Sequence, residues 1–326
     1  MSIKFAKRVT FLCPAMTTGG PEAIHQASQV LNEQGVRSDI LYTGNGAQLT
    51  VANGRISYTP PSVNPCLEAY RDYRPVVCGG ALLRRHHLFV LPEVYAGDFT
   101  ILRGASVAVW WLSVDNALET LADTTFRAVL SSPTLRHFHQ SVYAEDFLRR
   151  SGVPRSAPLF DYTTPEFTSL VPEGPNPDPA VAYNPAKGAQ LSESFFARHP
   201  EHLGVPIRGM TKSEIADRLR ATMVYVDFGH LPGKDRLPRE AAASGAVVFV
   251  RNRGAGRFYG DFPVPDFFRF DDDDVHSGEL ARRIAAVRED PARHWGQQES
   301  LRRQVRGEQA ELHAQVAALR GQRRAA

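Results

Sequence analysis

Little in this chain supports cross-linking, metal binding or membrane insertion. Its three cysteines, Cys13, Cys66 and Cys78, are odd in number and lack any C-x-x-C spacing. That excludes a disulfide framework and a cysteine-built zinc site, and leaves them as core or near-core thiols. No apolar run approaches the roughly 18 residues that span a bilayer, and no N-terminal stretch has the pattern of a signal peptide, so a cytoplasmic location is expected. A net charge of +3 is too small to mark a nucleic-acid binder. Lysine is scarce, five residues in a Lys+Arg total of 38, so each internal lysine invites inspection. His86-His87 has no second cluster at metal-ligand spacing. The run Asp271-Asp272-Asp273-Asp274 cannot aim four adjacent acids at one ion, and it is expected to cap a helix beginning near His276. No metal and no cofactor are expected.

What is present is an ordinary globular composition, 43% apolar and 22% charged, in a chain of 326 residues. Single cores rarely grow past roughly 250 to 300 residues, so two domains are expected. Five prolines between Val171 and Pro185 mark the clearest linker. The expected division is 1–170, 171–290 and a C-terminal helical segment, 291–326.

The first half opens as a β-α-β unit. Val9–Cys13 reads as a strand, Pro21 opens a helix with Ile24, Ala27 and Leu31 on one face, Gly35 closes it, and Ser38–Tyr42 returns as a strand. The turn carrying Gly19 and Gly20 lacks the spacing of a dinucleotide-binding G-x-G-x-x-G. Residues 44–61 read as a hairpin or irregular strands. Leu88–Leu91 and Val107–Leu112 read as strands, each with a carboxylate just beyond it, Glu93 and Asp115, suited to holding a hydroxyl or acting as a general base. Trp110 and Trp111 alternate in the second of these strands, which predicts one facing the core and leaves the other for a cleft.

The second half repeats the logic. Val181–Asn184 reads as a strand and Pro185–Gly188 as its turn into a helix, where Lys187 suits a diphosphate as a point charge. Thr211-Lys212-Ser213-Glu214 fits a capping box. Met223–Val226 is a short buried-strand run that stops at a Gly/Pro-rich loop holding Gly233 and Lys234. Pro238 suits the first turn of the next helix, Glu240 sits in that turn, Gly245 ends it, and Ala246–Val250 is another strand. Such units bind ligands at the carboxyl edge of open α/β sheets. Arg251–Gly256 reads as a flexible turn able to close over a ligand. Between Ala281 and Ala326 ten arginines face five acids, and Leu301, Val305, Leu312, Val316 and Leu319 recur at helical spacing, which predicts an amphipathic helix or helix pair.

The segment Pro238-Arg239-Glu240-Ala241-Ala242-Ala243-Ser244-Gly245 resembles the nucleotide-sugar helix of GT-B glycosyltransferases, most closely retaining glycosyltransferase family 4. Trp110–Asn116, with Ser141–Ala144 and Asp161–Thr163, is similar to bacterial glycosyltransferases of surface-polysaccharide type. The family's second glutamate, eight positions before Glu240, is Pro232 here.

The resemblance implies two Rossmann-like domains facing across a cleft, with a C-terminal helix crossing back to the first. It implies donor contacts from Gly19, Gly20, Lys187, Gly233, Lys234, Arg239 and Glu240, the last holding the ribose, and places Glu93 and Asp115 on the acceptor side. The implied activity is metal-free transfer, with retention, from a nucleotide sugar to a glycan or lipid-linked acceptor. The basic helix would also suit contact with anionic lipid at the inner face of the membrane. A non-catalytic scaffold subunit and a nucleotide-sugar epimerase of the same fold remain as alternatives.

Overall fold

The computed structural model describes residues 6–84, 86–102 and 104–320. They form two compact units: residues up to Tyr162 together with those from Gln309 on, and Thr163–Glu308.

The first unit is built on six parallel strands. These are β1 (Arg8–Pro14), β2 (Arg37–Thr43), β6 (His87–Pro92), β7 (Ser106–Trp111), β8 (Arg136–His139) and β9 (Ala157–Pro158), in the order β2-β1-β6-β7-β8-β9. Between β2 and β6 the chain makes a small antiparallel sheet of β3 (Gln48–Ala52), β4 (Arg55–Thr59) and β5 (Ala81–Leu82). Its hairpin turns on Asn53 and Gly54, both at positive φ (48° and 69°) as a two-residue type I′ loop requires.

A parallel sheet covered on both faces shows continuous apolar runs. Accordingly β7 buries both tryptophans, Trp110 in one core with Phe11 and Val90, Trp111 in the opposite core with Phe89 and Leu91. The indole N–H of Trp110 donates to Leu159 O (2.8 Å) and that of Trp111 to His137 Nδ1 (3.1 Å). The expectation that one of them faces a cleft is therefore corrected. The final helix, Glu299–Arg320, ends in this unit, where Leu312, Val316 and Leu319 join the core on the Trp110 face. Its apolar stripe is thus occupied, and any contact with lipid would rest on its arginines alone. Among the described residues no helix is long and apolar enough to cross a membrane.

The second unit carries five parallel strands, β10 (Asp178–Tyr183), β11 (Gly204–Pro206), β12 (Thr222–Asp227), β13 (Val247–Arg251) and β14 (Arg269–Phe270), in the order β11-β10-β12-β13-β14. The units divide at Tyr162/Thr163, ahead of the proline-rich stretch, because that stretch is strapped to the second unit. Asn176 Nδ2 donates to the carbonyls of Leu219 (2.7 Å), Thr222 (3.0 Å) and Ser244 (3.1 Å). Gly245, at φ +96°, leaves room for Asn176 and Pro172 to pack against the end of helix Arg236–Ala243. The four aspartates open helix Asp272–His276 instead of preceding it, Asp271 and Asp274 forming its capping box.

The first and last residues of the second unit meet at one buried carboxylate. Glu308 Oε2 accepts from the backbone N–H and the hydroxyl of Thr163 (both 2.9 Å) and from Arg239 Nη1 (2.8 Å). Glu308 Oε1 lies 3.0 Å from Lys234 Nζ. Both glutamate and arginine side chains are 0% exposed and the lysine 2%. Removing one partner of a buried ion cluster leaves uncompensated charge, so Glu308→Gln is expected to destabilise the protein by about 3–5 kcal/mol in chemical denaturation. A loss below about 1 kcal/mol would show that the cluster does not support the unit.

Candidate functional site

In a doubly wound sheet the loops on either side of the strand-order reversal form a crevice at the carboxyl edge. In the second unit that point lies between β10 and β12. The turn after β10 runs Asn184–Gly188 into helix Ala189–Arg198, and the loop after β12 runs Phe228–Asp235 into helix Arg236–Ala243. Glycines let the two segments close on each other. Gly188 is left-handed (φ +69°), and a Cβ there would collide with the carbonyl oxygen of Phe228. A Cβ on Gly229 would meet Asp227 Oδ1 at 2.8 Å and Lys187 Cβ at 3.0 Å.

Lys187 occupies this junction and donates from Nζ to Asp235 Oδ2 at 2.6 Å while remaining 36% exposed. Burial works against its ammonium, but Asp235 first and Asp227 after it outweigh burial and raise its pKa. Asp227 ends β12 fully buried and accepts from Gly229 N (2.9 Å) and the Tyr225 hydroxyl (3.0 Å). Burial, reinforced by Asp235, pushes its pKa up to about 6 against the opposing pull of Lys187.

Neither aspartate is a candidate on sequence grounds. Asp227 directly follows the Met223–Val226 run, and Asp235 directly follows Lys234 in the loop after it. The signal available was a carboxylate at the end of a buried strand, the same one that singled out Glu93 and Asp115.

The other donor-side candidates divide. Glu240 is buried, but it is the fifth residue of helix Arg236–Ala243 and lies past the first turn, where it was expected, because the helix begins two residues ahead of Pro238. Gly233 is buried, and its carbonyl accepts from Asp235 N (2.9 Å). Lys234 and Arg239 converge on Glu308, with Arg239 also donating to the carbonyls of Lys234 (3.0 Å) and Asp235 (3.2 Å). These two cations tie the loop after β12 and the helix that follows it to Glu308.

Arg251–Gly256, expected to be a flexible turn, is fixed. Arg251 pairs with Asp272 (2.6 and 2.7 Å) and donates to Phe228 O (3.1 Å), while Ala255 N donates to Leu231 O (2.9 Å). Leu231 itself sits at φ +50°, a costly conformation for a branched residue, and Gly256 packs beneath its side chain.

In the first unit the corresponding reversal lies between β1 and β6. Helix Gly19–Glu33 starts there with no side-chain cap on its first turn, which leaves Gly19 and Gly20 at an open helix N-terminus. The residues behind them serve the core. Glu22 accepts from the Tyr73 hydroxyl (2.7 Å). His25 is kept neutral by burial, so Nδ1–H donates to Pro21 O (2.6 Å) and Nε2 accepts from the Tyr42 hydroxyl (2.8 Å).

Glu93, just past β6, is buried and accepts from Leu112 N (3.0 Å). Burial pushes its pKa up to about 7, opposed by the amides of Leu112, Glu93 and Ser113. It thereby secures the turn leading to Ser113, whose buried hydroxyl has no hydrogen-bond partner among the described residues, and to half-buried Asp115, which accepts from the Tyr143 hydroxyl (2.6 Å).

No family model and no curated protein sequence matches this chain. Several solved structures do. Sucrose-phosphate synthase from Thermosynechococcus elongatus superposes with a TM-score of 0.63 at 14% identity, covering 96% of this chain and 98% of its own. HepE from Anabaena, in complex with UDP-glucose, gives 0.63 at 12% identity over 95% and 98%. A TarM variant from S. aureus, in complex with fondaparinux, α-GlcNAc-glycerol and UDP, gives 0.63 at 8% identity over 99% and 100%. With two parallel α/β sheets matched end to end, the chain has the GT-B glycosyltransferase fold.

Proposed function

We propose that the chain is a glycosyltransferase whose second unit binds a nucleoside diphosphate sugar and whose first unit holds, at its carboxyl edge, the glycan or glycolipid hydroxyl that receives the sugar. The carrying observation is Lys187: a partly exposed ammonium at the switch point of a doubly wound sheet, two residues before helix Ala189–Arg198 and oriented by Asp235. A helix N-terminus and a lysine together favour a diphosphate. The bound UDP-glucose and UDP of solved structures with this fold support the ligand class.

In the transfer, the bond from the sugar's anomeric carbon to the diphosphate oxygen breaks, a bond to the acceptor oxygen forms, and the acceptor hydroxyl loses its proton. Negative charge gathers on the departing diphosphate, where Lys187 and backbone amides stabilise it without a metal ion. Glu240 is assigned to the ribose, and with it a retaining outcome in which the proton passes to the departing diphosphate oxygen. Asp115 then orients the acceptor hydroxyl, and Glu93 positions the turn that carries Asp115. A role in cell-surface polysaccharide or glycolipid assembly in the cytoplasm fits this chemistry.

Lys187→Ala and Glu240→Gln should each weaken UDP binding by about 1.5–3 kcal/mol, the worth of one charge-assisted hydrogen bond, with unfolding midpoints unchanged. Calorimetry giving wild-type affinity in both variants would sink the donor assignment. Asp115→Asn should lower kcat/KM for the acceptor by roughly 10²-fold and leave UDP affinity within a few-fold. The opposite pattern, weakened UDP binding with normal turnover, would put Asp115 on the wrong unit for its role.

Glu93 makes a prediction in pH. Its folded pKa of about 7 lies above the ordinary 4.5, so the folded state binds this proton more tightly than the unfolded chain does. Stability from Glu93 is full below about 4.5 and is lost as pH rises through about 7. Glu93→Gln should therefore gain on the wild type by up to about 3 kcal/mol between pH 5 and pH 8. Parallel denaturation curves across that range would contradict the assignment.

A further inference from the structure

A second concave site lies in the first unit, at the opposite edge of the sheet from Gly19 and Glu93. It is a cavity of about 690 Å³. Lys7, Arg8, Arg55 and Arg84 supply cations to its wall, His86 and His87 supply imidazoles, and among the described residues no carboxylate lines it. Arg8 and His87 are the first residues of β1 and β6 and stand in register across the sheet, which fixes the site at the amino edge. The seven-residue length of β1 separates it from the carboxyl edge by roughly 20 Å.

The antiparallel insert forms the other wall. The Tyr58 hydroxyl of β4 donates to Tyr42 O (2.9 Å) and accepts from Tyr42 N (3.1 Å), which ties the insert to β2. Gly80, at φ +114°, brings backbone so near Ile56 O that a Cβ would stand 3.0 Å from it.

The charges are not evenly spent. Buried Asp39 holds Arg8 through Nε (2.7 Å) and Nη2 (2.6 Å), and it also accepts from Thr10, whose hydroxyl meets His87 Nε2 at 2.7 Å. Arg8 is therefore both oriented and neutralised. Lys7, Arg55 and Arg84 form no ion pair among the described residues, which leaves three positive charges facing one concavity without compensation.

A single carboxylate would leave most of that charge unbalanced, whereas a phosphate monoester carries about −1.5 to −2 near pH 7. Arginine's planar fork matches phosphate oxygens in pairs. The volume is far larger than one phosphate and falls within the roughly 300–1,000 Å³ of small-molecule sites, so the group carried by the ester also fits.

We propose that this amino-edge pocket binds a phosphate monoester, with Arg55 and Arg84 as its principal anion contacts and Arg8 as a fixed donor at its floor. The pocket does not depend on the transferase reading. Two probes carry the same group from different sources: glycerol phosphate, with glycerol as control, and phosphatidate in phosphatidylcholine vesicles, with pure phosphatidylcholine as control.

The full-length protein should bind at least one phosphate probe at low ionic strength and neither control. The double variant Arg55→Ala/Arg84→Ala should lose that binding by roughly ten-fold or more, while its UDP affinity and unfolding midpoint match the wild type. Binding of glycerol phosphate assigns a soluble ligand, and binding of phosphatidate alone assigns a lipid headgroup. Lys187→Ala should leave phosphate-probe binding unchanged. The proposal is overturned if neither probe binds, if the arginine pair can be removed without effect, or if Lys187→Ala abolishes binding, which would place the phosphate at the donor site.

Discussion

A carboxylate shut away from water keeps its charge only if cations and hydrogen-bond donors replace the solvent. Glu308 has two cations, Lys234 and Arg239, and the amide and hydroxyl of Thr163. Each partner comes from a different functional part of the second unit. Thr163 is where the chain enters it, Glu308 is where the chain leaves, Lys234 belongs to the loop after β12 and Arg239 to the helix that follows. The loop after β12 is therefore shaped by a buried charge cluster, with Asp235, between the two braced cations in sequence, bonded to Lys187. Such clusters favour one geometry over nearby alternatives, because any shift that separates the charges exposes the desolvation cost of each ion.

Much of the fold was legible because parallel strands buried on two faces write themselves as uninterrupted apolar runs. Leu88–Leu91, Val107–Leu112 and Met223–Val226 needed only their length and bounding turns to be placed within a residue or two. What ran out was long-range pairing. Glu308 lies 69 positions from Arg239, and in sequence it is one acid in a basic helix, indistinguishable from a solvated residue. The proline stretch misled for a related reason. Prolines break secondary structure wherever they fall, and only the three carbonyls gripped by Asn176 reveal that this stretch belongs to the second unit. Trp110 and Trp111 were read in their correct alternation, but an alternation does not say that both faces of the sheet are covered.

At the switch point of the second unit, one ammonium stands between two carboxylates, Asp235 bonded to its tip and Asp227 close by. On the proposed donor reading, an incoming diphosphate competes with Asp235 for Lys187; it carries more charge than a carboxylate and would meet the amino end of helix Ala189–Arg198 as well, which favours the exchange. The ion pair with Asp235 meanwhile restrains Lys187 and spares part of the ordering cost that a free lysine would meet on binding.

Lys187 and Lys234 show why composition could select both residues and yet not sort them. In an arginine-rich chain each lysine stands out, and both occupy glycine-bearing loops at the carboxyl ends of adjacent parallel strands. Their chemistry diverges with depth. Lys187 reaches a partner that is itself partly exposed, so its pair can open to admit a ligand; Lys234 reaches a carboxylate fully excluded from solvent, and opening that pair would strand two buried charges. The first lysine is placed for exchange and the second for permanence. The difference is set by which acid lies opposite, a fact held in the tertiary structure alone.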